Sequence, residues 1–455
     1  MKRIGRVIVL CLLAMGILLS SGTAERVIPD VLRATQEIDI RRTDTFQVIT
    51  TTVLHTARED VNEAITARVA ALTEEAEPLV PRGKDFMHNP ARADICTQIT
   101  RTGDRWMSFH ICAAVSYNSA QLWVKSEEYT YDMETGRMIR LGEIISEEGW
   151  ETLIREIRSQ AEIFFPEDEP VANELDEMCR REKLEEAGFV VTPGHLALYF
   201  PAAAVYPAHA EALLRVEIYV PELREILTEE ARQETDCTGY DLVAMTYDDG
   251  PAKGTSRDVL NMSACHPGQV TFFVIGKRLV QNAEIVHKEF DAGHSVQSHT
   301  WQHSDESQDV KPQNVVKWET KYNQTMGSMI GALPVMMRPP GGNWKMYEKA
   351  GNEMPMILWS ANSQDVVVEP DGRVEPLLYF DRAMGAKDGD IMLFHDVKIF
   401  AGRLAGMCME RFEERNTLLV TVNDLCALRG VPLEPGAVLK SCPREEAENA
   451  EDGNP

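Results

Sequence analysis

From Leu242 onward the chain alternates short apolar runs with helical stretches. The runs are Leu242–Tyr247, Val270–Ile275, Ile357–Trp359, Ile391–Phe394 and Leu418–Thr421. Runs this short, without polar residues on alternate positions, predict strands covered on both faces. Separated by helices, they predict an α/β domain with a parallel core over residues 240–436.

The preceding residues follow another pattern. Phe46–Val53 is β-branched and reads as a strand. Ala57–Glu75 carries Val61, Ala64, Ile65, Val69 and Leu72 at amphipathic-helix spacing. Strand-like runs follow at Ile95–Thr100, Trp106–Tyr117 and Gln121–Tyr131, then a helix over Trp150–Phe165 stopped by Pro166. Phe189–Phe200 reads as a hairpin around Pro193-Gly194, and Val216–Val220 as a last strand. Grouped strands and helices predict a smaller α+β domain over residues 40–230. An acidic linker is expected at Glu229–Cys237, and a disordered, acidic, apolar-poor tail over residues 437–455. The 455 residues fit two domains of ~100–200 residues each.

Residues 1–24 read as a secretory signal. Lys2, Arg3 and Arg6 form a basic start, Val7–Leu19 is apolar, and Ser20–Ala24 are small. The alternative is an uncleaved anchor, the one route to a membrane in this sequence. Eight cysteines remain beyond Cys11; export permits disulfides, with Cys96–Cys112 a plausible pair if their segments are neighbouring strands. The formal charge of −26 argues against nucleic acid, whose backbone demands a basic surface. Residues 25–239 hold 22 basic and 41 acidic residues, and residues 240–436 hold 19 and 26. The acidity therefore belongs mainly to the first domain.

Candidate chemistry lies in the second domain. Thr246-Tyr247-Asp248-Asp249-Gly250-Pro251 sets two carboxylates at a strand end, where α/β sites are built. Alone, the pair reads equally as solvated turn acids. His299 and His303 form an H-x-x-x-H pair, which on a helical turn faces both imidazoles to one ion. Two His and one Asp make a typical catalytic zinc shell. Arg338-Pro339-Pro340-Gly341-Gly342 is a stiff loop with room for close backbone approach. Trp359–Asp365 follows, and then Ile391–His395, an apolar strand ending in histidine.

In this order, the five segments resemble the polysaccharide deacetylases with NodB homology. Val270–Gly276, Asp291–His294 and Gly389-Asp390-Ile391 support the resemblance. It implies a distorted (β/α) barrel that removes acetyl groups from glycan amino sugars. Asp249, His299 and His303 would hold the metal, expected to be zinc. Asp248 would be the general base and His395 the general acid. Arg338 would orient Asp248, and Asp365 would orient His395. Gly341 would offer its backbone N–H to the oxyanion, and Leu393 would line the acetyl pocket. Four positions depart from the usual pattern. Tyr247 replaces Phe and Gly341 replaces Tyr. Asn362 replaces the first acid of a D-x-x-D pair, and Val366 replaces an aromatic wall.

Tyr131–Gly136, Leu141–Ile145, the Phe189–Phe200 hairpin and Val216–Leu223 resemble an extracytoplasmic domain. It precedes the catalytic domain in some bacterial peptidoglycan deacetylases, and a related domain occurs in a lysozyme-sensing anti-sigma factor. This implies a cell-envelope setting and a cell-wall glycan substrate. Two other functions stay open: a non-catalytic binding or sensing protein, and an O-acetyl esterase on xylan-like glycan.

Overall fold

A computed structural model describes residues 26–43, 45–82, 91–304, 309–367 and 376–444. The signal reading of residues 1–24 and the acidic stretch 445–455 lie outside them. Among the described residues no helix is long and apolar enough to cross a membrane.

The chain opens with a six-stranded sheet: β1 (Thr35–Arg42), β2 (Phe46–His55), β3 (Ala91–Thr102), β4 (Trp106–Tyr117), β5 (Ala120–Asp132) and β6 (Arg137–Ile139), in that spatial order. β2 and β3 pair in parallel and the other neighbours are antiparallel. The helix Glu59–Ala76 buries Val61, Ile65, Val69 and Leu72, a stripe at helical spacing that covers one sheet face. A second sheet follows, with β7 (Val190–Val191), β8 (His195–Pro201) and β9 (Leu213–Tyr219). The turn between β7 and β8 is closed by Thr192, whose Oγ1 accepts the N–H groups of Gly194 and His195. The expected linker is ordered. Glu229–Glu234 is helical, capped by Thr228 Oγ1 accepting the Ala231 N–H.

The second half is a ring of parallel strands. β10 (Asp241–Asp248) lies at the centre, with β11 (Thr271–Val274) and β12 (Ser295–Ser298) on one side. β13 (Met356–Ile357) and β14 (Ala361–Asn362) are separated by a bend at Ser360, and β15 (Ile391–His395) pairs with both β14 and β10. Parallel bridges from Ser298 to Met337 and from Met337 to Met356 close the circuit. β16 (Thr417–Leu419) pairs with the start of β10. The helices Thr255–Ala264, Ala283–Asp291, Pro312–Ile330 and Ala401–Glu414 make this the expected distorted (β/α) barrel. The apolar-run reading passed over β12, because Ser295, Gln297 and Ser298 are polar yet buried.

The tail expected from residue 437 is corrected for 437–444. β17 (Val438–Leu439) pairs in parallel with β13. The Leu358 N–H donates to the Leu439 carbonyl at 2.7 Å, and that of Cys442 to the Gly389 carbonyl at 2.8 Å. Cys442 is fully buried, its Sγ 3.6 Å from that of Cys426. Composition concealed this strap because few apolar side chains pack it: Cys442 is buried and Val438 and Leu439 are partly so. Cys96 and Cys112 stand opposite one another on β3 and β4, and both are free thiols.

The two halves share their interior. One apolar cluster runs from Trp150, Leu153 and Ile157 through Leu198 and Val216 to Phe272, Val286 and Phe412. Asp94 on β3 pairs with Arg257 at 2.9 Å and Lys288 at 3.1 Å, both on barrel helices. Arg101 binds Glu413 at 2.5 Å, and His195 Nδ1 lies 2.6 Å from Asp424. Such buried pairs add register more than net stability, since desolvation offsets attraction.

Asp291 gives this interface a pH dependence. Its Oδ2 accepts from Gln121 of β5 at 2.7 Å, and its Oδ1 has no partner. Burial pushes the carboxyl up to about 7. Ionising it therefore costs the folded state, starting above the unfolded value of ~3.9 and complete above about 7. Asp291→Asn is expected to raise stability by up to about 4 kcal/mol at pH 8 and to change little at pH 4. Thermal unfolding at both pH values checks this, and equal effects at the two would contradict it.

Candidate metal and catalytic site

The predicted side chains meet at the C-terminal ends of the barrel strands. Asp248 ends β10 and pairs in register with His395, which ends β15. Thr246 and Leu393, two residues earlier on each strand, share the same faces. Asp249 leaves the strand with φ +75°, a left-handed conformation uncommon for a side-chain-bearing residue. That turn lets two adjacent carboxyls converge on one centre.

His299 follows β12, and His303 lies four residues on. The helical turn expected there does not form; residues 299–304 are a loop, with Thr300 at φ +65°. The pair converges all the same. His299 Nε2 and His303 Nε2 stand 3.5 and 3.6 Å from Asp249 Oδ1. One ligand atom from each residue lies within 4.8 Å of the others. The Nδ1 of His299 donates to the Arg338 carbonyl at 2.8 Å, which turns Nε2 towards the cluster. Asp249 Oδ1 is buried without a hydrogen-bond partner. Burial would raise the Asp249 carboxyl, but His299, with His395 and His303 beyond it, holds it well below the ordinary carboxylate range. Two imidazole nitrogens and an orphaned carboxylate oxygen are a donor set that fits a divalent metal.

Arg338 is fully buried. It donates to Asp248 Oδ1 at 2.8 Å, Thr246 Oγ1 at 2.6 Å, and the carbonyls of Ile357 and Leu358 at 3.0 Å each. Its guanidinium also lies 4.1 Å from the Phe273 ring centroid. Burial draws the guanidinium down, with Asp248 opposing; arginine stays charged through such a shift.

Asp365 grips His395 twice. Its Oδ2 accepts the His395 N–H at 2.8 Å and its Oδ1 the Nδ1–H at 2.7 Å. Burial pulls the imidazolium down, but Asp365, with Asp248 and Asp249 beyond it, more than offsets it, so His395 holds its proton more tightly than a free imidazole. Asn362 turns its Oδ1 to the Gln364 N–H at 2.7 Å; it shapes the Asp365 loop without charge. Val366 is half exposed, so the aromatic wall is absent at that position. Leu393 is buried. Gly341 adopts φ +61° in the turn Pro340–Gly342, a conformation glycine adopts freely.

Sequence reasoning passed over two contributors. Thr246 is an acceptor for Arg338, legible from its period-two spacing to Asp248. Arg278 donates to the Asp249 carbonyl at 2.7 Å, and no local pattern marks it.

A profile described as polysaccharide deacetylase matches residues 235–354. A chitooligosaccharide deacetylase of Bradyrhizobium is 30% identical over 171 residues, covering 36% of this chain and 75% of that protein. The chain belongs to the polysaccharide deacetylase family. The peptidoglycan-N-acetylglucosamine deacetylase PgdA of Listeria monocytogenes is 31% identical over 189 residues, 40% of this chain and 38% of that one. The peptidoglycan-N-acetylmuramic acid deacetylase PdaC of Bacillus subtilis is 26% identical over 195 residues, 43% and 40% of the two chains. The chain thus spans about two-fifths of the length of these two deacetylases.

Proposed function

We propose that the protein hydrolyses N-acetyl groups on cell-wall amino sugars, releasing acetate and leaving a free amine. The carrying observation is that the barrel's strand ends bring together an Asp248–Arg338 pair, a His395–Asp365 pair and the Asp249, His299 and His303 cluster. Asp249, His299 and His303 would hold zinc. Bound there, zinc supplies Lewis acidity that polarises a carbonyl and acidifies water. Asp248, oriented by Arg338, takes a proton from the attacking water. The Gly341 N–H stabilises negative charge developing on the carbonyl oxygen, and Leu393 lines the space for the acetyl methyl. His395, kept protonated by Asp365, delivers its proton to the leaving nitrogen as the C–N bond breaks.

The relatives named above support a glycan substrate, and a cell-envelope setting agrees with the signal-like residues 1–24. The test is acetate release from intact peptidoglycan, N-acetylglucosamine oligomers and acetylxylan. Release from the first two, abolished by a chelator and restored by zinc, is expected. Release from acetylxylan alone would make the protein an esterase. No release from any, with saturable binding of wall fragments, would make it a binding protein.

A further inference from the structure

Asp396 follows the catalytic histidine and is fully buried, yet the chemistry above gives it no task. Its Oδ2 accepts the Ser256 hydroxyl. The same Ser256 oxygen accepts the Ala252 N–H at 2.7 Å, at the end of the turn that begins with Asp249. Asp396 also lies directly against Gly250. A Cβ on that glycine would overlap the Asp396 carboxylate, so turn and carboxyl touch with no side chain between them. The turn's backbone is tied elsewhere too: the Gly250 carbonyl accepts the Ile275 N–H at 2.9 Å and the Asp249 carbonyl accepts Arg278. The turn is held at several points. It needs to be, because the left-handed φ of Asp249 persists only where the surroundings enforce it.

We propose that Asp396, acting with Ser256, is a positioning residue that holds the Asp249 turn in its metal-ligating conformation. The proposal rests on reading Asp249 as a metal ligand. Asp396 is joined through its backbone to His395, so it also fixes the acid strand against the turn that carries Asp249. An acceptor is required, not a charge: an asparagine oxygen can take the Ser256 hydroxyl equally well.

Zinc affinity, measured on the full chain by competition with a chromophoric chelator, tests this apart from turnover. Asp396→Ala is expected to weaken zinc binding about 10- to 100-fold, the usual effect of losing support behind a ligand. Asp396→Asn should bind zinc within about threefold of the unaltered protein, and Ser256→Ala should fall between them. Melting temperature of the metal-free proteins is read in parallel. Wild-type zinc affinity in folded Asp396→Ala would overturn the proposal. So would equal weakening in the Ala and Asn variants, or a loss of melting temperature without loss of affinity. If Asp396→Ala does not fold, Ser256→Ala against Asp396→Asn decides alone. An unaltered protein that binds no zinc overturns the ligand reading itself.

Discussion

Asp248→Asn is expected to lower kcat for acetate release by about 10²–10⁴-fold, the usual worth of a positioned general base, while leaving metal affinity nearly unchanged. Asparagine keeps the shape and still accepts from Arg338 Nη1, now 2.8 Å from Asp248 Oδ1. What it loses is the lone pair that takes the proton. The separation from metal holding is structural: the Asp249 oxygen lies 3.5 and 3.6 Å from the two imidazoles, whereas His299 Nε2 stands 3.9 Å from Asp248 Oδ2. His299→Ala is the contrasting variant and should lose both metal and turnover. Steady-state kinetics with zinc titration reads the difference. Undiminished turnover in Asp248→Asn would remove the base from the mechanism.

The largest stability effect is expected at Arg338. Arg338→Met retains much of the volume but strips Asp248 of its buried counter-charge and leaves the Ile357 and Leu358 carbonyls without their donor. Breaking a buried pair from one side costs about 3–5 kcal/mol, because the remaining charge is uncompensated. Adding Asp248→Asn to Arg338→Met should recover part of that loss by neutralising the orphan, and the coupling is the signature of the pair. Urea unfolding of the two single variants and the double variant measures it. Additive losses would mean that Arg338 acts through packing on Phe273 and not through Asp248.

Much of the barrel half was legible in the sequence. Strand ends are readable because an apolar run stops abruptly at a charged residue, as at Asp248 and His395. The first half was legible as strands and one amphipathic helix, since period-two and period-3.6 patterns are local. The polar strand β12 was not, because Ser295 and Gln297 are buried by hydrogen bonds to Asn423 and to the Val335 and Met336 N–H groups, and partners so distant leave no periodic trace. The His299–His303 spacing was read through helix geometry. A loop brings the two together instead, with Thr300 Oγ1 donating to the Gln302 carbonyl at 2.7 Å.

The amino-acid order by itself determined the chemistry available: which carboxylates, imidazoles and guanidinium exist, and that several stand at the ends of apolar strands. It also determined that the acidity lies mainly in residues 25–239, away from the cleft. Only the tertiary structure decided which groups pair. Arg338 reaches Asp248 across 90 residues of chain, and Asp396 reaches Ser256 across 140, because barrel closure sets distant strand ends side by side. The strap at 437–444 and the shared core of the two halves have the same origin. Burial and hydrogen-bond satisfaction are properties of the assembled fold, and no stretch of sequence carries them alone.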